Sequence, residues 1–301
     1  MKQSRDLSLP VWPEGVSLLL GLGAQKAGTT WLHDHLRAHP DCHAFPIKET
    51  HYFDTISGQT RLGYLMTSRR MQVLSRQGET ADLERVTRLA ALLEAPDAAH
   101  QGYVDLMTAG LRPGSVALDI TPSYALLEER QFAHLGRMDP LRFLFILREP
   151  VSRFWSNIRM MVNWRGQGHD HFEPAARDLV DHALKNDGER RLASAMARSE
   201  YATTLDRLAR YVPANRQLVV FFEDLFTNRT INRIWAFLGL APMPLTDTAP
   251  RLEGHPATMR ADQIERLKEV FRPQYEAACA GFGDQVPPAW HARFAAGTVA
   301  A

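Results

Sequence analysis

Cysteine is scarce in this sequence, which has only Cys42 and Cys279 among its 301 residues. Secreted domains that depend on disulfide bonds carry many more cysteines, so the composition argues against a disulfide-stabilised scaffold and favours a reducing compartment. We therefore expect the protein to work in the cytoplasm. The apolar run at 16–24 does not change this expectation, because prolines and Glu14 precede it where a signal peptide would be positively charged.

The sequence also lacks a long hydrophobic run and an excess of either charge. No stretch of about 18 apolar residues is present, so no membrane-spanning helix is expected. Lys and Arg total 35 and Asp and Glu total 34, and this net charge of +1 argues against nucleic acid as a partner. Hydrophobic residues make up 45% of the chain, which is typical of a globular protein with a sizeable core.

Short apolar runs alternate with amphipathic segments along the chain. The runs predict buried strands at 16–22, 116–120, 141–147 and 217–222. The other segments predict helices at 29–38, 69–94, 151–164, 176–212, 228–238 and 260–280, with a break at Pro273. Loop and short elements are expected at 41–60, and loops at 165–175 and 241–257. This alternation indicates parallel βαβ units, and we predict one α/β domain over 16–301 after an irregular lead-in at 1–15.

A glycine loop joins the first predicted strand to the first predicted helix. Gly23 and Gly28 have the G-x-x-x-x-G spacing of a phosphate-binding loop, in which backbone N–H groups and a helix N-terminus converge on an anion. Nucleoside triphosphatases place lysine directly after the second glycine. Here Thr29 follows Gly28, and the lysine is Lys26, inside the loop. The alternative interpretation is a glycine-rich turn that binds no ligand.

The loop sequence GAQKAGTTWL resembles the 5′-phosphosulfate loop of the sulfotransferases, which use 3′-phosphoadenosine 5′-phosphosulfate (PAPS) as donor. The resemblance implies a P-loop-like three-layer sandwich around a central parallel sheet. It also implies that Lys26 contacts the bridging oxygen and the 5′-phosphate of PAPS. The remaining donor contacts implied for this loop are Gln25, Ala27, Gly28, Thr29 and Thr30. Because a sulfuryl group carries less charge than a terminal phosphate, we expect no metal requirement.

A second motif follows the most apolar predicted strand, in LRFLFILREPVSRFWSNIRM at 141–160. Arg148 ends the strand, and Ser156 lies eight residues later on the next helix. This pattern resembles the 3′-phosphate motif of the sulfotransferases, which implies that Arg148 and Ser156 bind the 3′-phosphate. An ion pair between Arg148 and Glu149 and a helix-capping role for Ser152 are the structural alternatives.

Two intervening segments carry the candidate catalytic residues. PIKETHYFD at 46–54 resembles a stretch of the carbohydrate sulfotransferase branch, which includes the heparan sulfate 3-O-sulfotransferases. The resemblance implies Glu49 as general base, with His51 as the second candidate. In VALDITPSYALL at 116–127, Ile120 replaces the lysine of that branch, which puts a heparan-type acceptor in doubt. Asp119 is expected to support Lys26 or to touch the acceptor, and a structural role for each of these residues stays open.

The predicted function is transfer of a sulfuryl group from PAPS to a hydroxyl or amine of an unidentified small-molecule or carbohydrate acceptor. Arg251 and Gly254, in RLEGHP at 251–256, are further expected donor contacts. The alternatives are a small-molecule P-loop kinase and a non-catalytic PAPS-binding relative. A zinc site among His33, His35 and His39 is not expected, because no cysteine or third correctly spaced ligand accompanies them. Acceptor specificity is expected in 55–115 and 165–185, and nothing in the sequence predicts the oligomeric state.

Overall fold

Five parallel strands form the central sheet of the computed structural model, which describes residues 8–166, 169–185, 190–245 and 255–295. The strand order is β2-β3-β1-β4-β5. Nearly every side chain of β1, β3 and β4 is buried, as expected where helices cover both faces of a parallel sheet. The strands are β1 Ser17–Gly23, β2 Cys42–Ala44, β3 Val116–Ile120, β4 Leu141–Leu147 and β5 Gln217–Phe221.

Helices flank the sheet, and most of them connect one strand to the next. Between β1 and β4 they are α1 Thr29–Arg37, α2 Tyr52–Ile56, α3 Leu62–Gln77, α4 Thr80–Glu94, α5 Gln101–Thr108 and α6 Glu129–Leu135. After β4 they are α7 Pro150–Trp164, α8 His169–Lys185, α9 Arg190–Ala197, α10 Tyr201–Tyr211, α11 Phe222–Leu225, α12 Asn228–Leu238, α13 Ala261–Val270, α14 Arg272–Phe282 and α15 Pro288–Ala295. This arrangement confirms the predicted α/β fold with a P-loop-like parallel sheet.

The sheet topology places the two phosphate-type motifs side by side. β1 is central, with β3 on one side and β4 on the other, and Leu20 of β1 is in register with Asp119 of β3 and Phe143 of β4. The chain leaves β1 and β4 at the same edge of the sheet, and continues into α1 after β1 and into α7 after β4. Such an edge is where ligands bind in open α/β sheets.

The short elements expected at 41–60 are β2 and α2. Several other predicted elements need correction. The single helix expected at 69–94 is two helices, because Gly78 at φ 72° ends α3 in the left-handed conformation. The prediction of a loop at 165–175 was wrong from residue 169 onward, because α8 begins there and includes Pro174. The break near Pro273 falls at Phe271, and the proline lies in the first turn of α14.

No helix within the described ranges is both long and apolar enough to cross a membrane.

Candidate functional site

The glycine loop passes from β1 into α1 under tight steric restraint. Gly28 has φ 82° and is the N-cap of α1, and no side chain caps this helix. A Cβ on Gly28 would lie 2.8 Å from Leu225 Cδ2 and 3.2 Å from Phe222 Cδ2. Only glycine fits both the left-handed backbone and this close approach. No side-chain cap therefore competes with an anion for the N-terminus of α1 at the end of β1.

Lys26 adopts an unusual backbone conformation that two arginines hold in place. Its φ is 70°, in the left-handed region that costs a non-glycine residue about 1–2 kcal/mol. Arg148 Nη1 donates a hydrogen bond of 2.7 Å to the Lys26 carbonyl, and Arg153 Nη1 donates one of 3.4 Å to the Gln25 carbonyl. Strain of this kind persists where the surroundings over-determine the backbone, often at binding sites.

The loop residues do not all face the same space. Gln25, Lys26, Gly28, Thr29 and Thr30 line one large cavity. Ala27, expected to contact the donor, does not line it: its side chain is buried and its N–H donates to the Ala24 carbonyl at 3.1 Å. Ala27 therefore supports the turn from within.

Arg148 lies at the end of β4 and faces the same cavity. Its guanidinium stacks 4.3 Å from the centre of the Phe222 ring, and Tyr201 donates a 2.7 Å hydrogen bond to its carbonyl. The cap of α7 is Glu149 and not Ser152, because the Glu149 carboxylate accepts from the N–H groups of Val151 and Ser152. Glu149 is therefore occupied as a helix cap.

A third cation joins Lys26 and Arg148, and the sequence reasoning missed it. Arg159 lies three residues after Ser156 on α7, so both side chains share a helix face, and both line the cavity. Burial and the nearby charges of Arg148 and Arg159 lower the pKa of Lys26. Cations held this close together repel one another, and an anion between them would relieve that repulsion.

Glu49, His51 and Asp54 form a hydrogen-bonded chain on another wall of the cavity. His51 Nδ1 lies 2.8 Å from Asp54 Oδ2, and His51 Nε2 lies 3.4 Å from Glu49 Oε2. Lys48 Nζ donates to Glu49 Oε1 at 2.9 Å. The side chains of His51 and Asp54 are 4% and 2% exposed, whereas that of Glu49 is 30% exposed. Glu49 is therefore the member that an incoming molecule meets.

These contacts strongly shift the pKa values of Glu49 and His51. Burial alone would raise the pKa of Glu49, but the hydrogen bond with His51 and the charge of Lys48 outweigh it and lower that pKa to about 2. Burial alone would lower the pKa of His51, but the hydrogen bonds with Asp54 and Glu49 outweigh it and raise that pKa to about 9. At neutral pH a protonated His51 is held beside an ionised Glu49. His51 also has φ 52°, a second strained backbone in the same cavity.

Asp119 does not reach Lys26 or the cavity, contrary to expectation. It is fully buried, and its Oδ2 accepts hydrogen bonds from the hydroxyls of Thr50, Tyr103 and Tyr124 at 2.6, 2.6 and 2.8 Å. Its Oδ1 accepts from Thr121 at 2.7 Å. The Tyr124 hydroxyl also accepts a hydrogen bond from the backbone N–H of Tyr52, the residue after His51. Asp119 therefore anchors the segment that presents Glu49 and His51.

The cavity that joins these groups has a volume of about 1420 Å³. Ser156 is nearly buried and lines it, as does Arg198, which the sequence reasoning also missed. Arg198 Nη1 donates a 3.2 Å hydrogen bond to Ser123 Oγ. Burial lowers the pKa of Arg198, and the charges of Glu49 and Asp54 oppose that shift. Arg198 is thus close enough to influence Glu49 electrostatically, although the two residues are about 150 positions apart in the sequence.

The expected donor contacts Arg251 and Gly254 lie outside the described residues. The histidines of α1 and its end are used in packing: His35 stacks on Trp31 with ring centres 5.1 Å apart, and His39 Nε2 lies 3.1 Å from the Ala241 carbonyl oxygen. Within the described part of the chain, no cluster of three or more His, Cys, Asp or Glu side chains is arranged to hold a metal ion.

The fold is similar to that of a known sulfotransferase. A sulfotransferase from Alicyclobacillus acidocaldarius aligns with a TM-score of 0.62 at 20% identity, covering 93% of this chain and 100% of that chain. The sulfotransferase domain from the curacin biosynthetic pathway aligns with a TM-score of 0.47 at 19% identity, over 78% of this chain and 77% of that chain. The corresponding domain of the Synechococcus PCC 7002 olefin synthase has a TM-score of 0.44 at 19% identity, over 79% and 76%.

No curated protein sequence matches the chain. The sequence profile of the sulfotransferase family, however, matches residues 19–244. That span includes the Lys26 loop, the segment from Glu49 to Asp54, and both Arg148 and Ser156. Since the match covers about three quarters of the sequence, the chain belongs to the sulfotransferase family.

Proposed function

We propose that this protein transfers a sulfuryl group from PAPS to a hydroxyl, or an amine, of a small-molecule or carbohydrate acceptor. The observation that carries the proposal is the convergence of Lys26, Arg148 and Arg159 on one cavity that also contains Glu49. A donor with two separate phosphate positions would neutralise these cations. An acceptor hydroxyl could then lie between the donor and the carboxylate.

The residues present suit a donor of this kind. The open N-terminus of α1 and Lys26 would hold the 5′-phosphosulfate, and the hydroxyls of Thr29 and Thr30 would add hydrogen bonds. Arg148 and Ser156 would hold the 3′-phosphate, for which the planar and permanently charged guanidinium is well suited. When bound, PAPS supplies an activated sulfuryl group whose bond to a phosphate oxygen can be broken.

We assign the proton acceptor to Glu49. His51 is protonated at neutral pH, because its pKa is about 9, so it cannot take up a further proton. Glu49 is ionised, is the most exposed of the three residues, and lines the cavity. The acceptor oxygen would form a bond to sulfur as its proton passes to Glu49. The bond from sulfur to the bridging oxygen breaks, and that oxygen keeps the electron pair as part of the released adenosine 3′,5′-bisphosphate.

Lys26 and His51 would act by electrostatics. Lys26 would stabilise the negative charge that develops on the leaving phosphate oxygen. His51 would hold Glu49 in place while Asp54 fixes the imidazole. Positioning and charge stabilisation supply most of the catalysis in the analogous phosphoryl transfer, and we propose that they do so here without a metal ion.

Titration calorimetry with adenosine 3′,5′-bisphosphate tests the donor assignment. We expect the bisphosphate to bind with a micromolar Kd. Adenosine 5′-phosphate, which lacks the 3′-phosphate, should bind at least tenfold more weakly, and Arg148→Ala should weaken binding of the bisphosphate by a similar factor. Arg142→Ala is the matched control, because Arg142 is on the same strand but does not line the cavity, and its Nη1 donates to the Phe237 carbonyl. Preferential binding of ATP with magnesium would contradict the proposal and favour a kinase.

Turnover separates an enzyme from a non-catalytic relative that only binds the donor. With labelled PAPS and an acceptor panel, we expect transfer of label to an acceptor that depends on Glu49. Tight bisphosphate binding without transfer to any acceptor class would contradict the catalytic assignment. The scarcity of cysteine supports a reducing compartment, and we propose the cytoplasm as the site of action.

A further inference from the structure

Residues of both α3 and α7 line the cavity that contains Glu49. The first turn of α3 is attached directly to the segment that carries His51: the Gly63 N–H donates to Thr55 Oγ1 at 3.0 Å. A Cβ on Gly63 would lie only 3.0 Å from the His51 carbonyl oxygen. α3 therefore starts beside the candidate base and leads away from it.

The face of α3 along this cavity is apolar. Leu62, Leu65 and Met66 line the cavity, and their spacing of three and four residues places them on one side of the helix. At 1.5 Å per residue they cover about 6 Å of wall, starting beside the base. Arg69 follows on the same stripe and leaves the outer end polar.

A second apolar wall comes from α7. Met160, Met161 and Trp164 line the cavity beyond Ser156, and Trp164 lies about 12 Å along the helix axis from that serine. Methionine side chains adapt to ligands of varied shape. We call the part of the cavity that these residues of α3 and α7 line the α3–α7 cleft.

Two water-exposed apolar side chains line this cleft. Leu65 is 42% exposed and Trp164 is 69% exposed, and they are two of only six large hydrophobic residues exposed within the described ranges. Exposed apolar groups that line a concave site next to a reacting group mark a ligand surface. A bound ligand would remove both side chains from water.

Two polar side chains near the start of the cleft are already engaged within the protein. Gln59 Nε2 donates to the Leu126 carbonyl at 3.2 Å, and Thr60 Oγ1 accepts from the Leu62 N–H at 3.1 Å. A sugar bound here would give up hydrogen bonds to water for each hydroxyl placed against leucine or methionine, at a cost in affinity. A hydrocarbon would gain from the same contact.

We infer that the acceptor is an alcohol with a hydrocarbon body, which lies in the α3–α7 cleft with its hydroxyl at Glu49. This inference rests on the proposed function. The reaction would convert the alcohol to its sulfate ester: the alcohol oxygen bonds to sulfur, the hydroxyl proton passes to Glu49, and the bridging oxygen of PAPS leaves with the electron pair. The cleft would select the acceptor by its apolar length.

Binding of a homologous series tests this selection. Titration calorimetry of the full chain with 1-butanol, 1-hexanol and 1-octanol should show affinity rising about fourfold for each methylene group, as expected for burial in an apolar site. Glucose and maltose should bind more weakly than octanol. The series is measured with and without adenosine 3′,5′-bisphosphate, and octanol and glucose are then compared as acceptors with labelled PAPS.

Substitutions at exposed positions place the alcohol without disturbing the core. Leu65→Ser and Trp164→Ala should each raise the Kd for octanol at least fivefold and leave the Kd for the bisphosphate unchanged. Val73→Ser is the matched control, because Val73 is on α3 and 40% exposed but does not line the cavity. It should change neither Kd.

The outcomes distinguish the two proposals. Affinity that does not change with chain length, preference for glucose or maltose, or octanol binding unaffected by both cleft variants would overturn the hydrocarbon assignment, and intact bisphosphate binding would then leave the proposed function in place. Chain-length-dependent octanol binding that is lost in the cleft variants would support the assignment. If the bisphosphate failed to bind at the same time, the proposed function would be overturned, and with it the role of the bound alcohol as acceptor, although the cleft would still be an apolar binding site.

Discussion

Replacing Glu49 by glutamine should affect the titration of His51 and the rate of turnover together. The substitution keeps the size of the side chain and removes its charge. Burial lowers the pKa of His51, but Asp54 at 2.8 Å and Glu49 at 3.4 Å outweigh it and raise that pKa from 6.5 to about 9. The net shift corresponds to about 3 kcal/mol, and the two carboxyl groups together supply more than this because they also offset the effect of burial. We assign the smaller part to Glu49, so in Glu49→Gln the pKa of His51 should fall by about one unit.

Turnover should fall much further than this electrostatic change alone would suggest. Loss of a positioned general base typically lowers the rate by about 10²- to 10⁴-fold, and glutamine cannot accept the acceptor proton. The Kd of adenosine 3′,5′-bisphosphate should stay unchanged, because we place the donor on the Lys26 loop and on Arg148. Glu265→Gln is the control, since Glu265 pairs with Lys268 and does not line the cavity.

The assay combines NMR titration of the histidine ring protons, with His51 assigned from a His51→Gln variant, and initial rates with labelled PAPS. A Glu49→Gln protein that turns over at the wild-type rate would refute the assignment of Glu49 as proton acceptor. A His51 pKa that stays near 9 in this variant would refute the electrostatic coupling between the two residues. These results are independent, so one part of the reasoning can fail without the other.

Three further predictions concern stability and the supporting contacts. Gly28→Ala should lower the free energy of unfolding by about 1–2 kcal/mol for the left-handed backbone alone, with a further loss from the clash with Leu225. It should also weaken bisphosphate binding. Thermal unfolding measures the first effect and titration calorimetry the second. The raised pKa of His51 stabilises the fold fully below pH 6.5, and this contribution is lost as the pH rises to about 9; the lowered pKa of Glu49 stabilises it above pH 4.5, and this contribution is lost as the pH falls toward 2. Denaturant unfolding should therefore show both contributions between pH 4.5 and 6.5, and a flatter profile in Glu49→Gln. Asp119→Asn should lower the free energy of unfolding by about 3 kcal/mol, because the amide group would face hydroxyls that now donate to a carboxylate. It should also lower kcat without changing the bisphosphate Kd. A wild-type kcat in this variant would show that Asp119 does not position the catalytic segment.

The features that are contiguous in the sequence could be predicted well. The strand at 141–147 has the predicted bounds, and the strand at 116–120 likewise. The glycine loop also connects a strand to a helix as expected, because its conformation depends on local steric limits at Gly28 and on the residues next to it. The helix cap was predicted less well: Glu149 and Ser152 are both chemically able to cap α7, and the side-chain rotamers of the folded chain decided between them.

The acceptor side of the site could not be predicted in the same way. Thr50, Tyr103 and Tyr124 meet at Asp119 from separate loops and helices, and Arg198 reaches the neighbourhood of Glu49 from the end of α9. Such contacts depend on how the connections between strands pack over the sheet, which the periodicity of a single segment does not encode.

Local sequence therefore determines which parts of this chain can bind an anion, since a glycine loop or a strand-end arginine carries its geometry within a few residues. The order of the strands, with β1 between β3 and β4, decides that the two anion-binding parts share one cavity. The packing of α3 against the segment around His51 decides that an apolar cleft opens beside the candidate base. The physical reason is that burial and hydrogen bonding between residues about 100 positions apart are satisfied only after the sheet has brought them together.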